Sequence, residues 1–166
     1  DAQYSKMAID IMEEMGIGHL AYRRYTELSG GERQLVLIAQ ALCQDPEIIV
    51  FDEPTSHLDF KNQTLVLQTI NRLSKRGFTI VMTSHFPDHA WVLSSKVAMM
   101  GRGRLIAVGS SDEVMTEENL SETYGMDIKV YEDNSGDMPV RFCMPSYEFR
   151  QPSDIHQSGE GVAYAK

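Results

Sequence analysis

The chain has 166 residues, 42% of them hydrophobic and 23% charged, a length and composition typical of one globular domain. Its apolar runs are far shorter than the roughly 20 residues of a membrane-spanning helix, and the isolated Cys43 and Cys143 favour a reducing compartment over a disulfide framework. The net charge is −9, and only residues 61–109 are basic; because these basic side chains are scattered singly, the pattern favours solvated helix faces over nucleic-acid binding.

The first half of the chain alternates helical and strand patterns. Apolar residues at three- and four-residue spacing predict helices over about residues 5–15, 30–43 and 60–75. A short run over 47–51 predicts a buried strand, and a second run over 78–83, rich in β-branched residues, predicts another strand. Because strands separated by helices pair in parallel, we expect an α/β fold with a mostly parallel sheet flanked by helices.

The second half is expected to form hairpins joined by short helices that continue through Tyr124. Gly101-Arg102-Gly103 and Asn134-Ser135-Gly136-Asp137 are the predicted turns. From Gln151 onward the composition is polar, which predicts a disordered tail. The predicted hairpin strands cover residues 96–100, 104–108, 127–131 and 140–144.

Two adjacent glycines open the second helix, in the stretch Leu28-Ser29-Gly30-Gly31-Glu32. Ser29 as N-cap and Glu32 three residues later form a capping box, which explains the serine and the glutamate. It leaves the glycines unexplained. A helix N-terminus whose bare amides face an anion accounts for all four residues, so we expect an anion site there.

Carboxylates follow the first strand, at Asp52 and Glu53, and a histidine, His85, follows the second. Since ligands bind at the carboxyl ends of strands in open α/β sheets, these side chains are candidates for one site. The first carboxylate could hold Mg²⁺ and the second could polarise a water molecule. A strand that ends in a polar turn, with a merely structural histidine, is the alternative.

Two further patterns are weaker. His85 and His89 have the i, i+4 spacing of a metal pair, but no third ligand is evident and Phe86-Pro87 interrupts the helix. Asp59 precedes the third helix and is expected to be its N-cap, a role that can coexist with a functional one.

In this order and spacing, the pieces from about Gly16 to Tyr131 resemble the ATP-binding subunit of an ABC transporter. Residues 28–34 look like the signature motif of that family, 48–52 like Walker B and 56–59 like the D-loop. The resemblance implies a P-loop NTPase fold, in which two subunits sandwich two ATP molecules.

The resemblance also implies roles for individual residues. The first set would contact the ATP of the partner subunit: Ser29, Gly30, Gly31 and Gln34 from the signature, with Asp59 at the subunit interface. The second set would act in the subunit's own site: Asp52 would hold Mg²⁺ through water, Glu53 would be the catalytic glutamate, and His85 would be the switch histidine that contacts the γ-phosphate.

One part of the family pattern is missing, because no G-x-x-x-x-G-K-[ST] occurs in the 166 residues. The chain is therefore interpreted as the C-terminal portion of a longer ATPase, inactive by itself. Residues 1–43 would be a remnant of the helical subdomain, 44–132 the C-terminal part of the ATPase core, and 133–166 an appended hairpin and tail.

His57, at a position where alanine is commoner in the family, indicates the importers of iron-siderophores, haem, vitamin B12 and molybdate. The expected partners are a second ATP-binding subunit in a homodimer, permease subunits and, indirectly, a substrate-binding protein, on the cytoplasmic face of the membrane, with no nucleic acid. Two alternatives are a soluble ABC ATPase acting on ribosomes or DNA and a non-catalytic module that lends its signature to a partner.

Overall fold

The computed structural model describes residues 2–136 and 139–146, with side chains from residue 5 onward. The predicted disordered tail from Gln151 lies outside these residues. By its contacts, the chain divides into two compact units, Asp1–Leu93 and Ser94–Lys166. The helices and strands are α1 (Ala2–Glu14), α2 (Gly30–Leu42), β1 (Ile48–Asp52), α3 (Phe60–Lys75), β2 (Thr79–Thr83), α4 (Asp88–Leu93), β3 (Val97–Gly101), β4 (Arg104–Gly109), α5 (Ser111–Val114), α6 (Glu117–Tyr124), β5 (Ile128–Asp133) and β6 (Val140–Pro145).

The first unit has one hydrophobic core, to which α1, α2, α3 and β1 all contribute. Leu35 and Ile38 on α2 and Val66 and Leu73 on α3 are each no more than 2% exposed. These positions recur at three- and four-residue spacing, the period at which one face of a helix meets the core. Residues of α2 and α3 belong to the same core. The expected boundary at residue 43, between a helical subdomain and the ATPase core, stays a prediction.

β1 and β2 pair in parallel, with Asp52 opposite Thr83 at the carboxyl end. This confirms the parallel pairing expected from strand and helix alternation. The expectation of a fully buried first strand is wrong, because only Ile49 and Phe51 face the core. Ile48 and Val50 are 57% and 69% exposed on the opposite face, since successive strand residues point to opposite sides of a sheet.

In its described residues, the second unit contains two antiparallel hairpins and two short helices. β3 pairs with β4 around the turn at Arg102-Gly103, and β5 pairs with β6. Val114 on α5, Leu120 on α6 and Ile128 on β5 are buried among these elements. In the described residues, parallel pairing is therefore confined to β1 and β2.

No helix in the described part of the chain combines the length and the apolarity needed to cross a bilayer.

Candidate functional site

The parallel pairing of β1 and β2 brings the polar residues after both strands to one edge of the sheet. Asp52 is the last residue of β1 and lies opposite Thr83, the last residue of β2. Glu53 follows Asp52, and His85 follows Thr83 after one intervening residue. The side chains of these four residues are all exposed. The carboxylates and the histidine expected to share one edge therefore do so.

Thr83 joins the two carboxylate residues through one hydroxyl group. Its Oγ1 donates to Oδ1 of Asp52 at 2.6 Å and accepts from the backbone N–H of Glu53 at 3.0 Å. The backbone of Glu53 has a φ of +45°, a left-handed conformation that residues other than glycine rarely adopt outside constrained sites. The Thr83 hydroxyl helps to hold this backbone conformation, and it fixes the orientation of the Asp52 carboxylate.

The Glu53 carboxylate is held by two donors. Its Oε2 accepts from the hydroxyl of Ser56 at 2.7 Å and lies 3.2 Å from Nδ1 of His85. The Ser56 hydroxyl and, to a lesser extent, the His85 ring keep the pKa of Glu53 below its usual range. At neutral pH this side chain is therefore a carboxylate, the form needed to accept a proton from water.

The two histidines of the possible metal pair face different partners. His85 Nδ1 faces Glu53, whereas His89 Nδ1 lies 2.8 Å from the hydroxyl of Ser84. Within the described residues, no group of three or more histidine, cysteine, aspartate or glutamate side chains could hold a metal ion.

The N-terminus of α2 carries the predicted capping box. The Ser29 side chain accepts from the Glu32 N–H at 3.3 Å, and the Glu32 carboxylate accepts from the Ser29 N–H at 2.7 Å. The backbone and side-chain bonds to Ser29 lower the pKa of Glu32, with smaller contributions from Arg23 and His19. The amides of Gly30 and Gly31 in the first helical turn have no intrahelical acceptor.

The paired glycines have different environments. A β-carbon on Gly31 would lie 2.7 Å from Cβ of Asn62, because α2 and α3 approach each other closely there. On Gly30, which is exposed, the nearest atom would be Cδ2 of Leu58 at 3.3 Å. Helix packing therefore gives Gly31 a structural reason that the sequence did not show, and the anion site stays a prediction. Gly30 has an exposed backbone.

The loop after Glu53 runs from the sheet edge to the N-terminus of α3, where Leu58 and Asn62 lie close to Gly30 and Gly31. Asp59 caps α3 by accepting from the Asn62 N–H at 2.8 Å, as predicted. Thr55 is 1% exposed, which anchors the loop, and His57 has a φ of +63°. The structure thus has two clusters of candidate residues: one around Glu53, where this loop begins, and one around Ser29, whose neighbour Gly30 lies beside Leu58 near the end of the loop.

Gln34 lies one turn further along α2 than Ser29 and is half-buried. Its functional assignment rests on the motif alone and stays a prediction.

Sequence reasoning missed two residues at this site, Thr83 and Asn62, and it did not predict the contacts of Ser56 with Glu53 and of His89 with Ser84. Hydroxyl and amide side chains are common in loops and helices, so their types carried no signal by themselves. The position of Thr83, last in a strand that runs beside the one ending in Asp52, could have identified it. Asn62 could not be found in this way, because its contact with Gly31 depends on how two helices pack.

Comparison with known proteins gives consistent results. Residues 2–56 match the family described as ABC transporter. The hemin import ATP-binding protein HmuV of Hahella chejuensis is 35% identical over 75% of this chain and 52% of its own length. The iron(3+)-hydroxamate import ATP-binding protein FhuC of Bacillus subtilis is 38% identical over 78% of this chain and 48% of its own.

Among solved structures, a chain of an ABC transporter described as of metal-chelate type, in an inward-facing conformation, superimposes with a TM-score of 0.81. It is 29% identical, over 86% of this chain and 57% of that chain. The present chain thus spans about half the length of each of these three proteins.

Proposed function

Since this chain belongs to the family of ABC transporter ATP-binding proteins, we propose that it contributes to an ATP hydrolysis site that drives the import of a metal chelate across a membrane. The observation that carries the proposal is the Glu53 carboxylate, held between a hydroxyl and an imidazole where two parallel strands end. The hemin and iron-hydroxamate importers named above support the class of cargo.

Hydrolysis of ATP requires a water molecule placed in line with the γ-phosphoryl group. The protein contributes mainly by positioning the reactants and stabilising charge, with little covalent chemistry of its own. Glu53 orients this water and accepts its proton, because its carboxylate is ionised and fixed by Ser56. His85, on the same edge, contacts the γ-phosphate with the ring nitrogen that does not face Glu53.

The residues present fit a magnesium ion at Asp52. Mg²⁺ prefers oxygen ligands and is usually held by one or two carboxylates together with phosphates and water. The Thr83 bond engages Oδ1 of Asp52, and the exposed carboxylate can present its other oxygen to a metal-bound water. Held there, the ion would supply positive charge that offsets the negative charge of the nucleotide phosphates.

The signature residues act on the nucleotide of a second ATP-binding subunit, which we propose to be an identical copy. The Ser29 hydroxyl and the first amides of α2, at Gly30 and Gly31, donate hydrogen bonds to its γ-phosphate. The positive end of the helix dipole adds to this attraction. Asp59, at the start of α3, lies across the same interface.

Phosphate binding also requires a P-loop, and we propose that a segment outside these 166 residues supplies it. The chain by itself is then inactive as an ATPase. We further propose that it acts at the cytoplasmic face of the membrane, bound to permease subunits that receive cargo from a substrate-binding protein.

Substitution in the complete gene product, purified with its permease, tests this function. Glu53→Gln should abolish ATP turnover while leaving ATP-dependent dimerisation intact, because the amide cannot accept the proton but keeps the shape. Glu47→Gln, an exposed carboxylate just before β1, is the matched control and should leave turnover unchanged.

Unchanged turnover in Glu53→Gln would refute the role of Glu53. Purification with ribosomes or DNA instead of a membrane protein would refute the importer. If turnover requires a P-loop from a different protein, the chain is a module that lends its signature to a partner.

A further inference from the structure

A buried histidine lies beside the proposed site without a role in it. His89, in the first turn of α4, is 7% exposed. Its Nδ1 lies 2.8 Å from Oγ of Ser84, the residue immediately before His85. Burial lowers the pKa of His89, so its ring is neutral near pH 7. A neutral imidazole has one nitrogen that can accept a hydrogen bond.

The Ser84 hydroxyl closes a tight turn around His85. Its oxygen accepts from the backbone N–H of Phe86 at 3.0 Å, so the two residues that flank His85 are joined. A hydroxyl has a single proton to donate. Two groups lie within reach of the Ser84 hydroxyl, Nδ1 of His89 at 2.8 Å and the Phe86 carbonyl at 3.4 Å, and the contact with His89 is the shorter.

Ring packing connects the same residues. The Phe86 ring centroid lies 4.1 Å from that of His85 and 5.1 Å from that of His89, both with tilted planes. The backbone N–H of His89 also donates to the Phe86 carbonyl, at 3.2 Å. His89 therefore contacts both the backbone and the ring that determine where the His85 side chain points.

We propose that His89 is a positioning residue, which accepts a hydrogen bond from Ser84 at Nδ1 and thereby holds His85 against Glu53. The His85 ring then keeps the 3.2 Å approach of its Nδ1 to Glu53 before any nucleotide arrives. The contact between Ser84 and His89 is present in this chain without a nucleotide. Only its effect on ATP turnover rests on the proposed function.

Nuclear magnetic resonance of the ¹⁵N-labelled chain tests the hydrogen bond without a nucleotide. In the unsubstituted chain at pH 7, the ring-nitrogen shifts should show His89 protonated at Nε2 and unprotonated at Nδ1. A proton on Nδ1 would overturn the proposal. This measurement needs no substitution, so it holds even if a variant fails to fold.

Two variants separate the hydrogen bond from packing. His89→Phe keeps a ring but has no acceptor, and the Phe86 amide should exchange with solvent about tenfold faster, with a shift of the His85 ring resonances. His89→Asn supplies an amide oxygen and should restore both. Val92→Ala, at an exposed position of the same helix, is the control. The proposal would be overturned if His89→Phe and His89→Asn changed the Phe86 exchange rate and the His85 resonances equally, or if His89→Phe changed neither.

Turnover of the complete gene product gives the catalytic consequence. We expect His89→Phe to lower kcat about tenfold with an unchanged KM for ATP, and His89→Asn to recover most of it. If the spectra change as expected but kcat does not, the positioning stands and the role of His85 in the proposed function fails.

Discussion

Asn62 lies where a β-carbon on Gly31 would stand, with 2.7 Å between that carbon and Cβ of Asn62. Gly31→Ala should therefore destabilise the chain, because overpacking of a close helix contact costs about 1–3 kcal/mol and outweighs the gain in helix propensity of about 1 kcal/mol. We expect a net loss of up to about 2 kcal/mol in the free energy of unfolding, measured with urea.

Gly30→Ala is the control for that prediction. Its nearest neighbour would be the flexible end of Leu58 at 3.3 Å, so Gly30→Ala should leave the free energy of unfolding unchanged or raise it by up to about 1 kcal/mol through helix propensity. Equal losses in the two variants would contradict the packing role of Gly31.

The contact between Gly31 and Asn62 could not be predicted from the sequence, whereas other features of the site could. The capping residues Ser29, Glu32 and Asp59 were predictable because an N-cap and its partner are three residues apart in the chain. The shared edge of Asp52 and His85 was predictable because parallel strands end on the same side. Contacts between distant residues, and the exposure of one face of β1, depend on which elements pack together.

Ser29 has a structural role and a proposed functional role, and substitution can separate them. Ser29→Ala should lower the free energy of unfolding by about 1 kcal/mol, since the helix loses its cap. Ser29→Asp should keep the cap and the stability, because aspartate is an equally good N-cap. Both should lose ATP-dependent dimerisation of the complete gene product, the aspartate variant by repelling the γ-phosphate.

A second capping box provides the matched control. Ser110 caps α5 through Glu113 in the same geometry. Ser110→Ala should leave ATP-dependent dimerisation unchanged. If Ser29→Asp dimerises normally, Ser29 does no more than cap its helix.

Thr83→Val removes the hydroxyl between Asp52 and Glu53 while preserving the shape of the side chain. The Glu53 N–H then loses its acceptor, and we expect its hydrogen exchange to accelerate and the free energy of unfolding to fall by about 1 kcal/mol. Thr83→Ser keeps the hydroxyl and should behave as the unsubstituted chain. An unchanged exchange rate at Glu53 in the valine variant would refute the link.

The Ser56 hydroxyl is the main cause of the lowered pKa of Glu53, with His85 second. Ser56→Ala should therefore raise the pKa of Glu53 toward its ordinary value of about 4.3, followed by ¹³C titration of the carboxyl carbon. Ser56→Thr retains a hydroxyl and should preserve the low pKa.

Because the folded-state pKa of Glu53 lies below the unfolded one, its bond with Ser56 stabilises the fold at neutral pH, and the stabilisation is lost as the pH falls through the folded-state value. Ser56→Ala should thus reduce stability at pH 7 and flatten its decline below about pH 4.3. A pKa for Glu53 that is the same with and without the hydroxyl would show that another group holds this carboxylate.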